Sequence, residues 1–294
     1  MAIAQDLAGK VVVVTGSGRG IGRQIAMGAG QRGAKVALVE LITENLTAAV
    51  KEISDMGMTA KGYQTDISSE SEIIKNFAAI EKDFGQIDCL VNNAMIHDPE
   101  DLLETSLEVW NRTLAVTLTG SFLTIKATLP GMIKRKAGCI VNIGTVNAKA
   151  MIGSDSYSVA KAGIHALTRT VAVRYGPDGI RCTTVVPGTI ATDAWQERVD
   201  RNPQIFEKLK PYLDDVKEVY FAGGEALITQ EHYDCLDYWI KNKLTNKVHL
   251  TYTTNFSSLK FKDKDLVGYW KQFPRLTIWA SLDAEGQLAE TMRK

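Results

Sequence analysis

Short β-branched runs alternate with amphipathic stretches through the first two-thirds of the chain. That alternation, more than any other feature, limits the folds open to it. Val11–Thr15 (VVVVT) reads as a buried parallel strand, and a helix follows from Ile21 to about Gln31. Lys35–Glu40 is a second strand and Asn45–Met56 a second helix; Gly62–Gln64 is a short third strand. Ser69–Phe84 is helical with Ser69 as N-cap, and Asp88–Val91 is strand four. Leu107–Lys134 reads as one long helix kinked at Pro130. Cys139–Ile143, Tyr157–Tyr175 and Arg181–Val186 supply a further strand, helix and strand. Right-handed crossovers turn this order into an α/β fold, a doubly wound parallel sheet of Rossmann type. Ligands of such sheets bind beyond the carboxyl ends of the strands.

The turn after the first strand carries the first chemical signal. It reads Thr15, Gly16, Ser17, Gly18, Arg19, Gly20, Ile21, Gly22. Ile21 occupies the third glycine of the general dinucleotide fingerprint, so the spacing that fits is Gly16-x-x-x-Gly20-x-Gly22. Glycines let the backbone turn tightly and approach a pyrophosphate, and the helix N-terminus offers unpaired N–H groups to it. Glu40 ends strand two about 20 residues on, where an acid can bond the adenosine ribose hydroxyls. A carboxylate there repels a 2′-phosphate, which favours NAD over NADP; Arg19 keeps NADP as the alternative.

Tyr157 and Lys161 stand four apart on one predicted helix and so share a face. A free phenol titrates near ~10, and a neighbouring ammonium is expected to lower that value toward useful acid–base work. With these motifs in this order, residues 9–208 resemble the short-chain dehydrogenase/reductase family. The resemblance rests on Thr15–Gly22, Asp66, Asn92-Asn93-Ala94, Tyr157 with Lys161, and Pro187-Gly188 with Thr192. It implies interconversion of a small alcohol and a ketone by hydride transfer, with Tyr157 as general acid/base. It also implies a cofactor cleft formed by Gly16–Gly22, Glu40, Asp66, Ile67, Asn92, Ala94, Pro187, Gly188, Thr189 and Thr192. Lys161 would hold the nicotinamide ribose. Family members commonly form homo-oligomers through helices four and five.

Three positions depart from the family pattern. Thr145 stands where a substrate-polarising serine is usual, and Thr117 where an asparagine holds a relay water. Both keep a hydroxyl and are carried as catalytic candidates. Met95 replaces a glycine and is expected to narrow the cleft. These departures motivate an alternative reading, a non-catalytic dinucleotide-binding module or an inactive composite chain.

After about Asn202 the texture changes, and Tyr and Trp become frequent. Val219–Ala222, Val248–Thr253 and Leu276–Ala280 read as strands of an atypical C-terminal α/β extension, giving domains at 1–208 and 209–294. The family's final helix and strand are missing. Val219 to Glu225, with Gly223-Gly224-Glu225, resembles part of a radical S-adenosylmethionine enzyme. That family's CxxxCxxC cluster loop is absent, and a cluster needs thiolates, so the glycines are read as a strand-to-helix turn. A composite chain joined near Leu209–Tyr212 follows. A tail strand such as Val219–Ala222 is expected to cover the exposed edge of strand six.

Composition narrows the remaining classes. Lys plus Arg and Asp plus Glu balance at 34 each, which gives no electrostatic footprint for nucleic acid or an anionic membrane. No apolar run is long enough to span a bilayer, and the first residues lack a signal-peptide pattern, so a cytoplasmic location is expected. Cys89, Cys139, Cys182 and Cys235 form no CxxC spacing; they are read as buried reduced thiols, with no metal.

Overall fold

The computed structural model describes residues 4–97, 102–146, 148, 155–188, 190, 210–222, 230–254 and 259–280. The chain divides into two compact units, 1–187 and 188–294.

In the first unit six strands form one parallel sheet: β1 (Val11–Thr15), β2 (Lys35–Glu40), β3 (Ala60–Gln64), β4 (Cys89–Asn92), β5 (Gly138–Ile143) and β6 (Ile180–Val185). Their order is β3-β2-β1-β4-β5-β6. The unbroken valines of β1 follow from burial on both faces. Val13 points into one core and Val12 and Val14 into the other. The Val13 face is covered by α3 (Glu70–Phe84) and α5 (Gly120–Arg135) through Ile73, Phe77, Leu129 and Met132. The opposite face is covered by α1 (Gly20–Gln31) and α2 (Thr43–Asp55) through Ala26, Ala49 and Ile53. Strand order reverses between β1 and β4, which opens a crevice at their carboxyl ends. Ser69 caps α3 as expected, its hydroxyl accepting the Glu72 N–H at 3.4 Å.

The fourth helical stretch differs from its sequence reading. α4 (Leu107–Leu114) runs into a π-helical turn, Ala115–Thr119, and then into α5, which continues through Pro130 to Arg135. The change of register therefore falls at Thr117 and not at the proline. The buried Thr117 hydroxyl is fastened to the loop after β4 within this turn, and inserted π turns are frequent at functional sites. α6 (Asp155–Tyr175) follows β5 and carries Tyr157 in its first turn.

The second unit holds a three-stranded parallel sheet, β11-β8-β7, made of β7 (Glu218–Ala222), β8 (His249–Thr254) and β11 (Leu276–Ala280). A short antiparallel pair, β9 (Lys260–Phe261) and β10 (Lys264–Asp265), lies between β8 and β11 in sequence. α7 (Gln230–Lys241) links β7 to β8, and its Tyr233, Leu236 and Trp239 are fully buried with Tyr252 of β8. This corrects the expectation that a tail strand covers β6. β7 pairs with β8, because consecutive βα units satisfy one another's ladders and bury a core of their own. β6 keeps one unpaired edge among the described residues. Gly223, Gly224 and Glu225 lie outside the described residues.

Candidate active site

Two loops meet at the reversal of strand order. The Thr15 hydroxyl, 1 % exposed, accepts the N–H groups of Asn93 at 3.0 Å and Ala94 at 3.1 Å. In return the Asn93 carboxamide donates to the Thr15 and Gly16 carbonyls, both at 3.0 Å. Gly16 turns with φ +62°, a conformation that favours glycine. A Cβ on Gly22 would stand 2.2 Å from the Gly16 carbonyl oxygen and 2.5 Å from Asn93 Nδ2, so α1 can start this close to the loop only without a side chain there. Ser17 and Gly18 are buried, Gly20 and Ile21 half-buried, and Arg19 exposed immediately before the helix. The first-turn N–H groups of α1 have no partners within the helix and sit at its positive end.

Glu40 is held by three backbone donors. Oε2 accepts from Gly18 at 3.0 Å, and Oε1 from Leu41 at 3.0 Å and Ile42 at 3.1 Å. The carboxylate is thereby tied to the glycine loop at the end of β2. Asp66 is half-buried after β3, and its Oδ1 accepts both the N–H and the hydroxyl of Ser68, at 2.8 and 2.7 Å. Ile67 is buried in the core under α5. Asn92 turns inward: its amide donates to Asn142 Oδ1 at 2.9 Å, and its oxygen accepts from the Thr124 hydroxyl at 2.7 Å. Its side chain thus braces β4 against β5 and α5, a supporting role. A pyrophosphate fits these surroundings, with the first-turn donors of α1 at the loop and the Glu40 carboxylate fixed beside it.

The second half of the site lies at the ends of β4 and β5. Tyr157 is 8 % exposed and hydrogen-bonded to the Thr145 hydroxyl, also 8 % exposed. Lys161, 3 % exposed, donates to the Ile143 carbonyl at the end of β5. Burial pushes the Lys161 ammonium down to about 8. The Tyr157 phenol is shifted upward, by burial first, with the Thr145 hydrogen bond opposing. This corrects the expectation that Lys161 lowers Tyr157. The ammonium is spent on a carbonyl and stands 5.7 Å from the phenol ring centre, so desolvation of the phenol prevails. Thr117 Oγ1 accepts the Ile96 N–H at 3.2 Å and so pins the loop after β4. Met95, expected to narrow the cleft, is exposed.

His97 was not foreseen in the sequence. Its ring is half-buried and tilted against Tyr157, with centroids 4.9 Å apart. A single histidine in a loop forms no pattern; only its place just beyond Asn92-Asn93-Ala94 could have drawn notice. Pro187 ends the first unit, its carbonyl accepting the Val146 N–H at 3.2 Å, and Gly188 opens the second. Thr189 and Thr192 lie outside the described residues.

A sequence model described as short chain dehydrogenase matches residues 10–203, well over half of the chain. The chain belongs to that family. Short-chain dehydrogenases are NAD(P)-dependent oxidoreductases, and this chain is an enzyme of that class. Among curated relatives, 2-(S)-hydroxypropyl-CoM dehydrogenase 3 of Xanthobacter autotrophicus is 35% identical over 207 residues, 69% of this chain and 81% of that protein. A metagenomic short-chain oxidoreductase in complex with NADP is 33% identical with a TM-score of 0.60, covering 63% of this chain and 85% of that one. NAD+-bound xylitol dehydrogenase is 31% identical with a TM-score of 0.63, over 66% and 75%. A nicotinamide dinucleotide is therefore the cofactor of the family fold seen here. Among the described residues no helix is long and apolar enough to cross a membrane, and no group of three or more His, Cys, Asp or Glu is placed to hold a metal.

The buried Lys161 should leave a mark on stability. Below about pH 8 the folded and unfolded chains both carry its proton, and the folded one bears the full cost of burying it. Between there and 10.5 the unfolded chain holds more protons, so stability rises with pH. The shift corresponds to about 3 kcal/mol. Comparing urea unfolding of the parent and Lys161→Met, the parent should gain about 3 kcal/mol on the variant between those two pH values. A pH-independent difference would count against a buried ammonium.

Proposed function

We propose that this short-chain dehydrogenase interconverts a small-molecule alcohol and a ketone, with Tyr157 as the group that moves the proton. The observation that supports this most is the pairing of the Tyr157 and Thr145 hydroxyls beside Lys161, at the same sheet end as the glycine loop and Glu40. Bound nicotinamide supplies or accepts the hydride. A substrate oxygen between the two hydroxyls would receive a hydrogen bond from Thr145 and a proton from Tyr157. The upward shift of the phenol keeps it protonated at neutral pH, which suits donation to a ketone oxygen as hydride arrives. Lys161, anchored to Ile143, holds its positive charge in the dry site beside the phenol ring, in place for the nicotinamide ribose. His97 forms the wall on the far side of the phenol ring. Thr117 acts through the loop it pins, placing Ile96 and His97.

NAD is the preferred cofactor in this proposal. The Glu40 carboxylate is fixed by Gly18, Leu41 and Ile42 at the end of β2 and cannot swing away from a 2′-phosphate. Like charges brought together this way cost several kcal/mol, so kcat/KM should favour NAD over NADP by about 100-fold or more. Glu40→Gln keeps the acceptor for Leu41 and Ile42 while removing the charge, and should cut that preference by about tenfold. Equal use of both cofactors by the parent would refute the assignment.

The second unit is proposed to be a partial radical S-adenosylmethionine-like segment without its cluster loop, joined to a 1–208 dehydrogenase domain. Sequencing the encoding nucleic acid across positions 200–220 tests the junction. Association of two copies is proposed through α4–α5 and α6, where Phe122, Leu129, Leu167 and Tyr175 line an apolar groove. Sedimentation velocity of the full chain reads that state.

A further inference from the structure

The sequence reads the cysteines as buried reduced thiols, yet Cys89, Cys139 and Cys182 are half-buried, and Cys235 is buried. Cys89 of β4 and Cys139 of β5 are direct partners in the parallel ladder, so their side chains leave the same face of the sheet. The two thiols are neighbours close enough to couple electrostatically. Arg181 of β6, exposed and paired in register with Cys139, leaves the same face of the sheet beside that residue. Among the described residues Asp88 is a further charged group near Cys89, and it is occupied by the Val11 N–H at 2.9 Å, Gln86 at 2.8 Å and Lys10 at 3.6 Å. The cluster lies at the opposite end of the strands from the active site, roughly 10 Å along β4 from Asn92.

We propose that Cys89 and Cys139 form a reversible thiol–disulfide pair, with Cys139 as the sulfur that attacks a hydroperoxide and Cys89 as the resolving thiol. The roles follow from the surroundings. Arg181 stands in register beside Cys139, where its positive charge favours a thiolate, whereas Cys89 lies one strand farther from that cation and is the more buried of the two. Cys182 is pushed up to about 11 by burial and the nearby Cys139, and stays a thiol.

In the first step the Cys139 thiolate attacks the terminal oxygen of the hydroperoxide. An S–O bond forms, the O–O bond breaks, and the leaving alkoxide takes a proton to depart as alcohol, or as water from hydrogen peroxide. Cys139 is oxidised to sulfenic acid and the peroxide is reduced. Cys89 sulfur then attacks Cys139 sulfur; the S–S bond forms, the S–O bond breaks, and the Cys89 proton leaves with the hydroxide as water. Paired strands about 4.8 Å apart lie within the Cα range a disulfide tolerates. Parallel Cβ vectors stay wider than an unstrained disulfide prefers, so closing the bond pinches the strands and leaves it easily reduced.

Hydrogen peroxide at stoichiometric amounts on the full chain tests this. The expected product has lost about 2 Da, yields a Cys89–Cys139 linked peptide on digestion, and returns to the starting mass with dithiothreitol. Cys89→Ser should stop at a sulfenic acid on Cys139, trapped by dimedone. Arg181→Gln, at an exposed position, should slow the first step about threefold: a tenfold smaller thiolate fraction is partly offset by the greater nucleophilicity of a more basic sulfur. Limiting iodoacetamide on the unmodified chain gives a readout free of any variant, and Cys139 should be alkylated first. Oxidation or alkylation of Cys182 or Cys235 ahead of Cys139 overturns the proposal. So does a wild-type product with Cys139 over-oxidised and Cys89 unlinked, or one with disulfides only between chains.

Discussion

Tyr157→Phe is expected to lower kcat by about a hundred- to ten-thousandfold, the range that a positioned general acid contributes. The ring fills the same space against His97, so packing is preserved. What is lost is the proton that must reach the substrate oxygen as hydride is transferred, together with the hydrogen bond to Thr145. Because the phenol lies away from Glu40 and the glycine loop, the dissociation constant for the dinucleotide should change by less than about threefold. Steady-state turnover with a panel of secondary alcohols, alongside cofactor titration by fluorescence, separates these effects. Turnover within about tenfold of the parent would remove Tyr157 from the chemistry. Tight cofactor binding with no turnover in the parent itself would instead favour a non-catalytic dinucleotide-binding module.

Gly22→Ala should abolish dinucleotide binding and destabilise the first unit. The added carbon has no room: the Gly16 carbonyl and the Asn93 carboxamide would stand 2.2 and 2.5 Å away. The Gly16 carbonyl is backbone, held by Asn93 at 3.0 Å, so the turn must open. Opening separates the first turn of α1 from the end of β4 and disperses the N–H groups that face the pyrophosphate. Overpacking of this kind costs about 1–3 kcal/mol, and a loop displaced by even 1 Å loses most of its complementarity to an anion. Thermal unfolding with and without NAD reads both consequences. The parent should be stabilised by the cofactor and the variant should not. A variant that keeps the cofactor-induced shift would show that α1 can move away at little cost.

Most of the first unit was legible in the linear chain. β1, β2 and β5 were located by uninterrupted apolar runs, and α3 by Ser69 ahead of an amphipathic stretch. The glycine spacing, Glu40 and the Tyr157–Lys161 pair all fell at the carboxyl ends of strands, where the sheet puts its crevice. The fourth helix was misjudged because Pro130 is a visible helix disruptor, while a π turn leaves no residue signature. It coincides with the Thr117 hydroxyl accepting the Ile96 N–H, a contact between segments distant in sequence. The same blindness applies to the thiols. Cys89 and Cys139 are far apart in sequence and become neighbours only through the register of β4 on β5.

The chain alone therefore determined the family, the order of its elements and the residues proposed to carry the chemistry, since period, turn glycines and helical spacing are local properties. Tertiary structure decided how those residues are set against each other. It turned Asn92 inward to brace the sheet, set the Lys161 ammonium to donate to the Ile143 carbonyl, and let burial raise Tyr157 where proximity in sequence implied the reverse. It placed His97 on the phenol and sent the tail strands into a sheet of their own. Such outcomes depend on desolvation and on contacts between distant segments, and both come into being only when the chain is packed.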